Sequence, residues 1–395
     1  MSYLKFKADH LFTGQKMLGA ESVLVSDPKG TIEDIIPAGE AGEDIEMVNG
    51  LICPGFINCH CHTELSHMRG MIPEKTGLVD FAFEVMTKRG VSEEVVAHAI
   101  AEAEDEMLAG GIVAVGDICN NTSTIPQKLK NRLAYYNFVE LSGWLPAVAE
   151  NRFAAGKMVY DAFNRLPGNG QRVSMAPHAP YSVSERLWGL IRPYFFGRTT
   201  TMHNQETQAE TDLFVHGSGD LVRLYSKLNM DNSFFLPREK SSLESCLHLL
   251  SVAARTILVH NTFSTSDDIR YVRESWQNDS LPFFCTCINA NRYIEGQLPR
   301  LDSWFAEGLP VVIGTDSLAS NHSLSILDEL KTISSHFPGI SLMLLLEAAT
   351  LNGAKALDFD EILGSFDRGK RPGIIQIENL DGETIGPAST CRRLL

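Results

Sequence analysis

Two histidines separated by one residue, His60 and His62, end an apolar segment that begins at Pro54. On a β-strand, alternate side chains point to the same face, so a strand here would present both imidazoles together. Two imidazoles on one face at a strand end suit a divalent metal ion. The alternative is a pair of surface histidines, and the spacing alone does not separate the two interpretations.

The composition is that of an ordinary globular protein of 395 residues, with 44% apolar and 21% charged residues. Lys and Arg number 34 against 49 Asp and Glu, and the net charge of −15 disfavours nucleic acid and anionic membranes as partners. The sequence has no apolar run long enough for a membrane span and no signal-peptide core near Met1. The eight cysteines lie mostly in apolar runs, so we expect reduced thiols and a cytoplasmic protein.

From Gly55 onward, short β-rich segments alternate with amphipathic helical segments. The near-continuous apolar character of the β-rich segments fits parallel strands covered by helices. This alternation predicts an α/β protein with a (β/α)8 barrel, the TIM barrel. An open doubly wound sheet is the alternative, but no glycine-rich phosphate loop follows the first strand. The predicted strands are Gly55–His60, Ile112–Asp117, Ala134–Glu140, Arg172–Pro177, Thr199–His203, Thr256–His260, Pro282–Cys287 and Pro310–Thr315.

The helices between the strands are predicted from start signals and apolar stripes. One predicted helix begins after Ser92 and ends at Gly110 and Gly111. Its first turn carries Glu93 and Glu94, whose negative charges are favourable at the positive end of the helix dipole. Later helices are predicted at Ser184–Tyr194, Ser241–Ala254, Ser266–Gln277, Leu324–Phe337 and Ser341–Leu357.

The two ends of the chain lie outside this alternation. We expect residues 1–54 and 358–395, which contain short strand-like segments, to pair into a small β subdomain. The barrel domain would then comprise residues 55–357. The stretch Gln205–Lys240 is longer than a usual connection between a strand and a helix. It predicts a lid or substrate loop with a helix around Asp220–Lys227.

Ionisable side chains recur at the ends of five predicted strands, and active sites in this barrel lie at those ends. Burying so many polar groups at one end would be costly without a metal ion or a substrate. The set therefore favours a metal-dependent site over a pair of surface histidines. Its members are His60, His62, His178, His203, Glu206, His260 and Asp316.

Four motifs together resemble the amidohydrolase superfamily, in the right order over nearly the whole chain. They are Pro54–His62, His203–Glu206, Leu258–Asn261 and Gly314–Ser317.

Within that superfamily, the chain resembles the mononuclear branch that deaminates aromatic heterocycles. A glutamate follows His203 by three residues, and the fourth strand ends in Pro177-His178 rather than in the lysine of the binuclear branch. The segments Pro177–Ser182 and Thr315–Asn321 are similar to those of adenosylhomocysteine/methylthioadenosine deaminases and aminofutalosine deaminases. Related chlorohydrolases share much of the pattern.

The resemblance implies one divalent metal ion with four protein ligands, namely His60, His62, His203 and Asp316. Zinc is the first choice and ferrous iron the alternative, because ligand type barely separates them. The ion would lower the pKa of its water towards about 7. Glu206 would protonate a ring nitrogen of the substrate, and His260 would orient the attacking water. Asp316 would take the proton of the water and pass it to the departing ammonia.

Substrate contacts are predicted at His178, Glu84, Asn289 and Trp144. His178 would contact the substrate ring or its substituent, and Glu84 would bind a ribose. Asn289 follows the seventh strand, and Trp144, after the third, would stack on a base. Packing or a solvated position is the alternative for the last three.

The predicted function is hydrolytic removal of an exocyclic amine from a purine-like base or nucleoside-like heterocycle, with release of ammonia. One alternative is a hydrolase of the same fold that displaces chloride or alkylamine from a triazine-like ring, or opens a cyclic amidine. Another is a non-catalytic scaffold, which the complete ligand set disfavours. The resemblance implies a small heterocyclic substrate and a homodimer.

Overall fold

The structure, a computed structural model, describes residues 3–168, 170–278 and 280–395. Its strands form one sheet of seven strands and two of four. The strands are β1 Leu4–Phe12, β2 Met17–Gly19, β3 Ser22–Ser26, β4 Ile32–Pro37, β5 Glu46–Pro54, β6 Phe56–Cys61, β7 Ile112–Cys119, β8 Ala134–Leu141, β9 Gln171–Pro177, β10 Thr199–Asn204, β11 Arg255–His260, β12 Phe283–Thr286, β13 Val311–Ile313, β14 Ile374–Glu378 and β15 Thr390–Arg393.

The two four-stranded sheets are parallel, with the orders β6-β7-β8-β9 and β10-β11-β12-β13. They contain the eight predicted strands, each beginning and ending within two residues of its predicted bounds. All residues of β6, β7 and β10 are buried, as expected of parallel strands covered on both faces. The predicted α/β fold with parallel strands is therefore confirmed.

Backbone hydrogen bonds also link the edges of the two parallel sheets. The N–H of His203 donates to the carbonyl oxygen of His178 at 2.9 Å, which connects β10 to the end of β9. The N–H of Asp316 donates to the carbonyl oxygen of His60 at 3.0 Å, which connects the segment after β13 to β6. Strand ends from both sheets are thus held close together.

Both ends of the chain enter the seven-stranded sheet. Its order is β15-β14-β5-β1-β3-β4, and β2 pairs with β1. Strand β14 lies antiparallel to β5, with Ile374 opposite Pro54. A core that includes Phe6, Leu24 and Ile52 packs within this sheet.

Helices follow the strands of the parallel sheets, and none in the described ranges has the length and apolar character needed to cross a membrane. Helices α6 and α7 lie in the stretch Gln205–Lys240, and α7 has the predicted bounds. The helices are α1 Leu78–Lys88, α2 Glu93–Ala109, α3 Ile125–Lys128, α4 Ala149–Phe163, α5 Glu185–Ile191, α6 Gln208–His216, α7 Asp220–Lys227, α8 Ser242–Leu250, α9 Ser266–Ser275, α10 Ile288–Ile294, α11 Leu301–Ala306, α12 Ile326–His336, α13 Leu342–Ala349 and α14 Leu351–Ala356.

The single helix predicted over Ser341–Leu357 is wrong, because the structure breaks it into α13 and α14 at Thr350. Thr350 has φ −128° and ψ −89°, outside the helical region, and its hydroxyl donates to the carbonyl oxygen of Leu346 at 2.6 Å. Helix α14 then packs closely on β6 at Gly353, where an added Cβ would lie 2.7 Å from Cβ of Ile57. Tertiary packing therefore overrides the helical pattern at this point.

Candidate active site

Side chains from the ends of β6, β10 and β13 converge on one small volume. His62 Nε2 lies 3.3 Å from His203 Nε2 and 3.4 Å from Asp316 Oδ1, and His60 Nε2 lies 3.6 Å from the same Asp316 oxygen. Ligand atoms bound tetrahedrally at about 2.0–2.1 Å from one ion lie roughly 3.4 Å apart. These four side chains therefore have the spacing of the ligands around a single metal ion.

The surroundings of His60 test whether such an ion fits. Its side chain is buried, yet neither ring nitrogen has a hydrogen-bond partner within the described part of the chain. A buried polar group without a partner is costly, and most such groups in proteins have one. Three imidazoles and one carboxylate match the donors of a divalent ion and would leave a fifth position for water, so the residues fit a metal centre.

His203 is held by two acceptors on its other ring nitrogen. Its Nδ1 lies 2.9 Å from the carbonyl oxygen of His178 and 3.3 Å from Oε1 of Glu140. An N–H at Nδ1 leaves Nε2 free to face the cluster, as in metal-bound histidines oriented by a carboxylate. Sequence reasoning missed Glu140, although it ends the third predicted strand, and that position was the available signal.

Burial and neighbouring charges set the protonation of the cluster. Burial lowers the pKa of His60 to about 3, which favours the neutral imidazole that binds a metal. Burial acts in the same direction on His203, but the adjacent Glu140 carboxylate outweighs it and raises the pKa of His203 to about 9. A metal ligand is a neutral imidazole, so ion binding would displace that proton.

Glu206 and His260 form a second pair beside the cluster. Oε1 of Glu206 lies 3.6 Å from Nε2 of His260. Burial raises the pKa of Glu206 to about 8 and lowers the pKa of His260 to about 4. At neutral pH the pair is therefore a protonated carboxyl beside a neutral imidazole, which is a proton donor next to an acceptor. Asn291, another residue that sequence reasoning missed, contacts Nδ1 of His260 through its Oδ1 at 2.8 Å.

The backbone at two of these positions is left-handed. His260 has φ +71° and Asp316 has φ +59°, a region that residues other than glycine adopt infrequently, with Asn, Asp and His the most frequent among them. Such conformations cost about 1–3 kcal/mol and persist where the surrounding structure enforces them. Around Asp316, the side chain of Asn58 exchanges two hydrogen bonds with Thr315, and Ser320 Oγ donates to Asp316 Oδ2 at 2.6 Å.

Of the four predicted substrate contacts, the structure brings His178 into this region. Nitrogen and oxygen atoms of His178, His203 and Glu140 lie within 4.8 Å of one another. Nδ1 of His178 is 2.7 Å from Oγ of Ser182, and burial lowers the pKa of His178 to about 4. The neutral ring of His178 thus lies beside the metal-ligand side chains, and its hydrogen bond with Ser182 fixes the orientation of the ring.

Glu84 and Asn289 have partners elsewhere. Glu84 forms an ion pair with Lys88 one turn later on α1. The side chain of Asn289 donates to Glu329 Oε1 at 3.0 Å and accepts a hydrogen bond from Thr332 Oγ1 at 2.7 Å. The oxygen and the nitrogen of the Asn289 amide are therefore both hydrogen-bonded to α12. Substrate binding by Glu84 and by Asn289 stays a prediction.

Trp144 packs against aromatic residues of the long segment that follows β10. Its indole Nε1 donates to Asn232 Oδ1 at 2.6 Å, and its ring stacks on Tyr225 with centroids 5.5 Å apart. The hydroxyl of Tyr225 in turn donates to the carbonyl oxygen of Tyr181 at 2.5 Å. Tyr225 therefore ties the long segment to the loop after His178, and Trp144 packs against that segment. Stacking of Trp144 on a base stays a prediction.

Comparison with known sequences places this arrangement among related proteins. A model described as "Amidohydrolase family" matches residues 51–385. Aminodeoxyfutalosine deaminase of Deinococcus radiodurans is 27% identical over 370 residues, which cover 88% of this chain and 84% of that protein. The 5-methylthioadenosine/S-adenosylhomocysteine deaminase of Teredinibacter turnerae is 24% identical and covers 93% of this chain and 81% of its own.

Solved structures share the fold. Aminofutalosine deaminase of Helicobacter pylori with methylthio-coformycin has a TM-score of 0.81 at 22% identity, covering 94% of this chain and 91% of that chain. An adenosine deaminase of Xanthomonas campestris with bound zinc has a TM-score of 0.71 at 20% identity, covering 95% and 84%. A zinc complex of an atrazine chlorohydrolase from Arthrobacter aurescens has a TM-score of 0.71 at 16% identity, covering 94% and 86%.

Proposed function

This chain belongs to the amidohydrolase family, and we propose that it is a metal-dependent aminohydrolase that removes the 6-amino group of an adenine nucleoside. The observation that carries the proposal is the position of Glu206, whose Oε1 lies 3.6 Å from Nε2 of His260, next to four side chains with metal-ligand spacing. The names of the deaminase relatives support the nucleoside as substrate. The reaction consumes water and yields the 6-oxo purine and ammonia.

The metal ligands in this proposal are the four residues His60, His62, His203 and Asp316. Zinc is the proposed ion and ferrous iron the alternative, and the zinc in the adenosine deaminase with the same fold supports the first. When bound, the ion would supply Lewis acidity that makes a water nucleophilic at neutral pH.

The remaining chemistry is proton transfer by side chains of this chain. Glu206 donates its proton to a ring nitrogen, which makes the adjacent carbon electrophilic. His260 holds the attacking water, and Asp316 takes a proton from that water and delivers it to the leaving ammonia. Glu206 then takes back the remaining proton of the added hydroxyl, which yields the 6-oxo purine and restores the carboxyl. His178 contacts the purine ring from the neighbouring strand end. Donor and acceptor come from different strands, so they can act on opposite sides of the attacked carbon.

In this proposal the two parallel sheets close into one eight-stranded barrel, residues 55–357. The hydrogen bonds of His203 and Asp316 across the sheet edges support closure. Residues 1–54 and 358–395 form the accompanying β subdomain, and pairing of β5 with β14 supports that division. The segment Gln205–Lys240 acts as a lid over the site. The homodimer and the cytoplasmic location stay predictions from the sequence.

Ammonia release from the zinc-loaded protein tests the function. The panel would hold adenosine, methylthioadenosine, adenosylhomocysteine, aminodeoxyfutalosine, guanine, cytosine, a pterin and a chlorinated triazine. We expect ammonia from an adenine nucleoside, with the zinc-loaded Glu206→Gln variant as the matched control. Chloride release from the triazine, or ring opening without ammonia, would contradict deamination and favour the other hydrolase reactions.

A further inference from the structure

A buried ammonium group lies in the layer outside the parallel strands, on α3. The side chain of Lys128 is 1% exposed, and it pairs with the buried Asp117 of β7. Its Nζ also donates to Asn137 Oδ1 at 2.7 Å and contacts Cys119 Sγ at 3.3 Å. All three N–H groups of the ammonium therefore have acceptors. Burying such a pair rarely adds stability over apolar residues, so its contacts point to another role.

The second oxygen of the Asp117 carboxylate reaches the segment that carries the metal ligands. Asp117 Oδ1 accepts a hydrogen bond from the backbone N–H of Thr63 at 2.9 Å. Thr63 directly follows His62, and β6 ends one residue earlier, at Cys61. The pairing of β6 with β7 is irregular between Asn58 and Cys61, so the regular ladder does not fix the backbone here. The carboxylate supplies the missing acceptor.

The same network continues into the next two strands. Asn137 of β8 lies opposite Asp117 in the parallel register. Its Nδ2 donates to the carbonyl oxygen of Arg172 at 2.9 Å and to Gln171 Oε1 at 3.1 Å, both on β9. Lys128 therefore joins the backbone after His62 to the whole first parallel sheet.

We infer that Lys128 and Asp117 are positioning residues for the metal centre: Lys128 fixes the Asp117 carboxylate, which holds the Thr63 N–H and thereby the direction of the His62 imidazole. The inference rests on the proposed function, because it concerns the same metal ligands. A purely structural ion pair is the competing explanation. It would affect folding stability and leave metal affinity unchanged.

Two neutral double variants separate these explanations. Asp117→Asn with Lys128→Met removes both charges and keeps an oxygen for Thr63, whereas Asp117→Leu with Lys128→Met also removes that oxygen. The readouts are the zinc dissociation constant, by chelator competition at fixed pH, and the visible spectrum of the cobalt-substituted protein. We expect the leucine variant to lose about 10–100-fold in zinc affinity with an altered cobalt spectrum. The asparagine variant keeps an acceptor for Thr63 but lacks the Lys128 ammonium that fixes it, so its loss of zinc affinity should be smaller than that of the leucine variant.

Glu104→Gln is the matched control, because Glu104 is another buried carboxylate of the outer layer and accepts a hydrogen bond from Tyr135 at 2.8 Å. It should keep the wild-type zinc affinity. If the leucine variant does not fold, Asp117→Val with Lys128→Met also removes the oxygen that accepts from the Thr63 N–H, and its β-branched side chain suits a position within β7. It should show the same loss.

Wild-type zinc affinity and cobalt spectrum in the folded leucine variant, or in the valine variant, would overturn the inference and leave the proposed function standing. A wild-type protein that binds no zinc, cobalt or ferrous ion would overturn the proposed function and this inference with it.

Discussion

Two groups of residues differ in whether their polar atoms have hydrogen-bond partners. One is the metal-ligand cluster, and the other is the predicted pocket wall, which comprises Asn289 and Trp144. The cluster comprises His60, His62, His203 and Asp316. His60 is buried with both ring nitrogens unpartnered in the described ranges, whereas the amide of Asn289 is fully engaged with Glu329 and Thr332. Trp144 likewise has its own acceptor in Asn232. Buried groups that lack a protein partner indicate where a ligand belongs, and groups already satisfied indicate packing. His60 therefore has the surroundings of a residue that binds a ligand, whereas Asn289 and Trp144 have those of residues that stabilise the surrounding structure.

The largest effect should come from removing a ligand of the cluster. His203→Ala deletes one of the side chains at metal-ligand spacing, so we expect loss of bound metal and a rate below that of any other variant described below. Metal content of the purified protein and ammonia release would be measured together. His98→Ala, on the exposed surface of α2, is the control. Full metal content in His203→Ala would contradict the ligand assignment.

Glu206→Gln should separate metal binding from catalysis. The amide cannot donate a proton to the substrate ring, so the rate should fall about 10²–10⁴-fold while metal content stays at the wild-type level. Glu210→Gln, a neighbouring buried carboxyl, should keep most of the activity. Loss of metal from Glu206→Gln would make Glu206 a ligand rather than an acid.

Glu140→Gln tests the carboxylate that orients His203. The variant keeps an acceptor near Nδ1 but loses the negative charge, so we expect zinc affinity to fall about 10–100-fold. Chelator competition at fixed pH gives the value. An unchanged dissociation constant would mean that the carbonyl oxygen of His178 alone orients the ring.

The rate should also depend on pH through Glu206. Burial raises the pKa of this carboxyl to about 8, and its protonated form is the active one. The proton is bound below that pKa and lost above it, so kcat/KM should fall about tenfold per unit above pH 8. A profile of kcat/KM from pH 6 to 10 measures this. The falling limb should be absent from Glu206→Gln; a limb that persists there belongs to another group.

The smallest effect should come from the pocket wall. Trp144→Phe removes the hydrogen bond to Asn232 and keeps an aromatic ring, so the free energy of unfolding should fall by about 1 kcal/mol. KM should change less than about tenfold, the factor that 1.4 kcal/mol represents. Denaturant unfolding and steady-state kinetics check the two parts. A larger rise in KM would place Trp144 against the substrate.

The strands and their ends could be predicted because apolar runs and alternation constrain them locally. His60 and His203 were predicted as strand-end residues in this way. The family model over residues 51–385 confirms the predicted family, and relatives named as deaminases support the predicted deaminase class. Glu140 and Asn291 were missed because their partners come from other strands and helices, which spacing along the chain does not reveal. The break at Thr350 was missed for the same reason, since contact with β6 decides it.

Pairing of β14 with β5 has a consequence for biosynthesis. During translation, β5 leaves the ribosome early. The edge of β5 that pairs with β14 stays unpaired until the segment Ile374–Glu378 has also left the ribosome. Unpaired strand edges are templates for pairing with other chains. Nascent or truncated chains that end before Ile374 would therefore be prone to aggregation and dependent on chaperones, even with every residue of the metal cluster in place.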